Sequence, residues 1–225
     1  MSALFDQFLY GLLNTVSVFF LSGILGTVLG LLTAIVNASE KGIGSRVGRG
    51  YTSLVRGIPE LLIILVFYFG GTAAISAVVG SYVEIDALAA GVIALTIVFG
   101  GYSAEVFRGA INAIPAGQTE AAGSLGLSPW QVWTLVIIPQ MIPTALPGYA
   151  NLCISLIKDT SLISVVGLTD VMRVAYVGAG SLRAPLPFYL AASAIYLALT
   201  SLCLLSFALM ERRFSSQYAT GGAES

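Results

Sequence analysis

Few side chains in this sequence can do chemistry, and their types narrow what that chemistry is. No histidine occurs among the 225 residues, which removes imidazole acid–base pairs, histidine-ligated zinc and Ser/His/Asp triads. Cys153 and Cys203 each lie in an apolar run, where a thiol reads as a small hydrophobe and not as half of a disulfide or a metal site. Lys41 and Lys158 both lack the preceding glycine of GxxxxGK[ST], so the chain carries no ATP-binding loop of that kind.

What remains is charge set among apolar residues. Glu105 follows an uncharged run and Asp159 closes another beside Lys158. Ionisable groups at membrane depth are costly and mark a pathway or an internal pair. A cation crossing there needs a carboxylate to replace its lost hydration, which makes Glu105 and Asp159 the candidates. Tyr102 and Tyr68 can offer ring faces to the same cation. The competing readings are ion pairs, Glu105 with Arg108 at i,i+3 and Asp159 with Lys158 or Arg173, and an interfacial aromatic belt for the tyrosines. Glu60, just after Pro59, reads as a first-turn helix acid and not as a ligand.

These residues must be positioned by membrane helices. With 57% hydrophobic and 9% charged residues and a mean hydropathy of +0.92, the chain is an integral membrane protein with no separate soluble domain. A net charge of −1 and the lack of a basic tract exclude nucleic acid as a partner. Only Asp6 is charged before Glu40, so the first apolar segment lacks the positive flank of a signal peptide and is expected to stay.

The expected fold is all-α and polytopic, one domain over 1–225, with five spans at about 8–36, 60–82, 86–106, 140–158 and 187–210. Gly26 and Gly30 form a small-xxx-small pair in the first span. A short glycine-rich loop with Lys41, Arg46, Arg49 and Arg56 follows, and by the positive-inside rule it is cytoplasmic. Lys158 to Pro187 is expected outside and partly re-entrant. Seven basic residues then fall inside (Lys41, Arg46, Arg49, Arg56, Arg108, Arg212, Arg213) against three outside (Lys158, Arg173, Arg183), with the N-terminus outside and the C-terminus cytoplasmic.

Between the third and fourth spans the sequence spells two capped helices. Pro115 can open the first at its N1 position and Gly126 can close it in a left-handed cap, giving a cytoplasmic helix at about 115–126, too short to cross a bilayer. Gly117, Ala121 and Leu125 share one side of it, with Glu120 and Ser124 on another, so small side chains would admit a partner backbone. Ser128, Pro129 and Gln131 then read as a capping box starting a second helix, whose first part is broken by Pro139, Pro143 and Pro147.

This stretch resembles the EAA motif of bacterial ABC importer permeases: EAA, three residues, Gly, nine residues, then Ile-x-Leu-Pro. Glu120, Ala121, Ala122, Gly126 and Pro139 fall in register, with Val136 and Ile138 standing where the family has Ile and Leu. RGIPELL, YSAEVFRGAINAIPAGQTEAA and LIKDTSLISVVGLTDVM widen the resemblance to polar amino-acid permeases of the histidine and arginine type, over most of Arg56 to Met172.

The resemblance implies a type I importer transmembrane domain in a bacterial inner membrane, working by alternating access. Gly117, Glu120, Ala121, Ala122, Leu125 and Gly126 would form the coupling helix. The implied partners are two ATP-binding subunits, a second permease (identical or homologous), a periplasmic or lipid-anchored substrate-binding protein, and a polar, basic amino acid. Arginine, histidine, lysine, ornithine and opine-like derivatives all fit. ATP and Mg would be used by the partner ATPase, with no cofactor or metal in this chain and no bond made or broken by it.

An ion-gradient-driven secondary transporter is the alternative, but neither the EAA stretch nor RGIPELL recurs as such a repeat architecture would suggest. A membrane enzyme ranks last, because its two candidate carboxylates fall on opposite membrane sides in this topology.

Overall fold

The computed structural model describes residues 2–38 and 42–219; Glu40 and Lys41 of the basic connection lie outside the described residues. Among the described residues there are only helices and connections, and five helical segments are long and apolar enough to cross a bilayer. That follows from the solvent, since in hydrocarbon every backbone N–H and C=O must be satisfied within the segment.

Helix α1, Ser2–Ala38, packs along α5, Ala87–Asn112, and the two run in the same direction. Lipid offers no hydrophobic drive for this pairing, so close backbone approach supplies it. A Cβ on Gly26 would meet the Thr96 carbonyl oxygen at 3.1 Å, and one on Gly30 would meet Ser103 Cβ at 2.7 Å. The small-xxx-small pair thus faces α5. Leu95 and Ala104 of α5 are fully buried, and Asp86 caps its start by accepting from the Ala89 N–H at 2.9 Å.

The glycine-rich connection is not a loop but a second helix, α2, Ile43–Gly57. Two of its glycines serve proximity: a Cβ on Gly48 would sit 2.2 Å from Asn37 Oδ1, and one on Gly44 would sit 3.1 Å from Val36. Extended backbone at Ile58 and Pro59 then turns the chain into α3, Glu60–Leu65, which continues through a widened π turn at Val66–Gly70 into α4, Gly71–Val79. Gly80, at φ +77°, ends α4, and the returning strand of chain is pinned by Ser76 and Thr72 hydroxyls that accept from the N–H groups of Val83 and Ile85.

Helix α6, Ala116–Ser124, begins one residue later than expected, with extended Pro115 as its cap residue and not its first turn. Gly126, at φ +77°, closes it, and the Leu127 N–H reaches back to the Ala122 carbonyl at 3.2 Å. Helix α7, Pro129–Val132, starts in the expected capping box, Ser128 N–H donating to Gln131 Oε1 at 2.9 Å. A π turn at Trp133–Ile137 leads into α8, Ile138–Asp159. The turn widens just ahead of Pro139, whose ring lacks an N–H and crowds the preceding turn.

After a 3-10 turn at Thr160–Val166, α9, Val171–Leu182, packs back onto α1 and onto α10, Pro185–Ala219. Asp170, fully buried, caps α9 through the Arg173 N–H at 2.8 Å. Around it the Thr15 hydroxyl accepts from the Val171 N–H at 3.3 Å, Asn14 donates to the Thr169 carbonyl at 2.7 Å and the Tyr196 hydroxyl lies 3.4 Å from Asp170 Oδ2. No residue in the most apolar stretch of α10 is fully buried, although Cys203 and Phe207 pack against the core, while that of α5 is mostly buried.

Candidate functional site

Three spans bring acidic and phenolic groups to one cavity of about 260 Å³. From α3 comes Glu60, from α5 Val98, Phe99 and Tyr102, and from α8 Leu152, Ser155, Leu156 and Asp159. The Tyr102 hydroxyl donates to Glu60 Oε1 at 3.0 Å. The cavity wall holds no basic side chain, and Asp159 has no salt bridge among the described residues. Tyr102 lies in the apolar part of α5, one turn before the Glu105–Arg108 pair.

Local chain geometry explains the convergence. The break at Ile58 and Pro59 starts α3 deep against α5, so its first carboxylate is carried inside. Asp159 is the last residue of α8 before the chain tightens at Thr160. Two carboxylates and a phenol around one small cavity can replace the hydration of a cationic group. They offer no nucleophile with a matched base.

The cavity holds Tyr102 and Asp159 but neither Glu105 nor Tyr68. Glu105 accepts from Arg108 at 2.7 Å and lies 3.5 Å from Arg56, so two guanidinium groups already neutralise it at the far end of α5. The i,i+3 pair is the arrangement found there. The Tyr68 hydroxyl donates to Glu84, which ties it to the hairpin after α4. The ion pairs weighed for Asp159 are absent among the described residues; Arg173 instead lies 5.9 Å from the Tyr176 ring centroid.

Glu60 is the residue that reading the sequence misses. Its place after a proline fits a helix-start acid, but its side chain is taken by Tyr102. The available signal was a carboxylate opening a bilayer-length apolar run, to which the membrane-depth argument applies as it does to Asp159.

On α6, Gly117, Glu120, Ala121 and Leu125 are exposed, Leu125 at 81%, and so is Gly126 behind them. Ala122 alone is buried and seats the helix on the rest of the chain. A short rigid helix, capped at its C-terminal end and presenting small side chains outward, is a surface that another protein can grip.

Residues 26–216 match the family described as binding-protein-dependent transport system inner membrane component. The chain is 39% identical to the nopaline transport system permease protein NocQ of Agrobacterium fabrum over 213 residues, 92% of this chain and 90% of that one. It is 33% identical to the histidine/lysine/arginine/ornithine transport system permease protein HisQ of Escherichia coli over 211 residues, 92% of each. Among solved structures, an amino acid ABC transporter crystallised with histidines superposes with a TM-score of 0.82 at 33% identity, covering 95% of this chain and 96% of that one.

Proposed function

Because this chain belongs to the family of binding-protein-dependent transport system inner membrane components, we propose that it passes a basic amino acid, or an opine, inward through the Glu60–Tyr102–Asp159 cavity. The observation carrying this reading is that two carboxylates line one cavity between bilayer-length helices, with no basic side chain in its wall. Relatives named for arginine, histidine, lysine, ornithine and nopaline support the substrate class.

The energy comes from partner ATPases that bind ATP and Mg. Helix α6 sits in a cleft on one of them through Gly117, Glu120, Ala121, Leu125 and Gly126, with Ala122 as its seat. ATPase closure pulls α6, moves the later spans and opens the cavity outward to receive substrate from a binding protein. The bare apolar face of α10 supports a second permease, identical or homologous, as its cover. The N-terminus lies outside and the C-terminus in the cytoplasm of a bacterial inner membrane.

The test is uptake of labelled arginine, lysine and histidine by proteoliposomes holding the complete importer. Glu60→Gln and Asp159→Asn each weaken cation uptake at least tenfold, since truncating one partner of a buried charge pair costs about 2–5 kcal/mol. Unchanged uptake in both variants overturns the cavity as the route.

A further inference from the structure

Helix α2 has three faces, and the chain uses one. Ser45, Thr52 and Val55 are buried, with Gly48 against Asn37 and Val55 against Gly101. Ile43, Val47 and Leu54 fall on another face at helical spacing, and they are 81%, 65% and 64% exposed. Arg46, Arg49 and Arg56 lie between, on a third side at 3.6 residues per turn. Arg56 is within 3.5 Å of Glu105, whereas Arg46 and Arg49 have no salt bridge among the described residues.

An exposed apolar strip with a basic edge suits a bilayer interface. Apolar side chains enter the acyl boundary while the guanidinium groups reach lipid phosphates. Both ends of α2 are tied to bilayer-crossing helices, α1 before it and the span opening at Glu60 after it. We propose that α2 is a docking surface for anionic phospholipid. Ile43, Val47 and Leu54 are embedded, and Arg46 and Arg49 hold the phosphates. The leaflet is the cytoplasmic one in the orientation given above. Charge complementarity selects the occupant, because two cations without a salt bridge among the described residues flank the strip and the lipid surface supplies the matching anions.

The full chain, with the subunits that purify alongside it, is placed in nanodiscs of phosphatidylglycerol and phosphatidylcholine. Each lipid in turn carries a photoreactive acyl chain, and adducts are mapped by peptide mass spectrometry. Phosphatidylglycerol adducts are expected on the segment from Ile43 to Leu54, in excess over phosphatidylcholine. Arg46→Gln with Arg49→Gln lowers that excess by on the order of tenfold, high salt lowers it likewise, and the paired lysine substitutions retain most of it. Equal labelling by both lipids overturns the proposal. So does a segment labelled by neither lipid, or an excess indifferent to the glutamine pair in variants that still purify as monodisperse complexes.

Discussion

Glu60, Tyr102 and Asp159 share a cavity, but their side chains are not equivalent. Tyr102 occupies one oxygen of Glu60, whereas Asp159 has no salt bridge among the described residues. Tyr102→Phe should therefore impair cation uptake less than Asp159→Asn, because the phenol orients a carboxylate and supplies no charge; uptake of labelled arginine at matched complex concentration checks the order. Glu105→Gln should act through folding instead. It leaves Arg108 and Arg56 without their shared anion, so a lowered melting temperature with unchanged apparent affinity is expected. Asp170 is a cap, and Asp170→Ala should destabilise the complex by about 1–2 kcal/mol, with Asp170→Asn retaining part of that through its side-chain acceptor. Thermal unfolding followed by scanning fluorescence gives both values.

At the scale of helices, α1 and α5 approach through Gly26 and Gly30, with a Cβ at Gly30 meeting Ser103 Cβ at 2.7 Å and the Gly100 carbonyl at 3.0 Å. Gly30→Leu cannot be absorbed by a flexible side chain, since a backbone oxygen stands in the way. Loss of assembled complex is expected, with Gly50→Leu, which meets nothing within 4 Å on α2, as the control; yield by size-exclusion chromatography is the readout. Helix α6 carries a different expectation. Leu125 is exposed and contributes little to this chain's own packing, so Leu125→Asp should leave folding intact while uncoupling ATP hydrolysis from uptake. Hydrolysis assayed with and without loaded binding protein would reveal that split.

For the molecule as a whole, burial is uneven. Helix α5 is wrapped on several sides while α10 packs on α8 and α9 along one face and leaves Leu197, Leu202, Leu205 and Leu209 exposed, an imbalance that a self-sufficient bundle would not leave. The proposed orientation puts the hairpin after α4 outside and the α6–α7 turn inside. In a Cys153→Ser, Cys203→Ser background, Tyr82→Cys should react with an impermeant maleimide added to right-side-out vesicles. Ser128→Cys should react only when the vesicles are opened.

Local order could be read without coordinates. Five apolar runs of bilayer length specify helices because hydrocarbon leaves the backbone no other way to satisfy itself, and Ser128 with Gln131 specifies a cap because both partners lie within one turn. Composition likewise excluded histidine chemistry. Proximity between distant residues was not written in any one segment. Glycines at 44, 48 and 50 looked like a loop until Asn37 and Val36 were found against two of them, and Glu60 looked like a cap until Tyr102 was found 3.0 Å away. Glu105 and Tyr68 were drawn off by Arg108, Arg56 and Glu84. Spacing along the chain fixes what neighbours on one helix can do, but which carboxylates share a cavity depends on crossing helices, and only the packed bundle decides that.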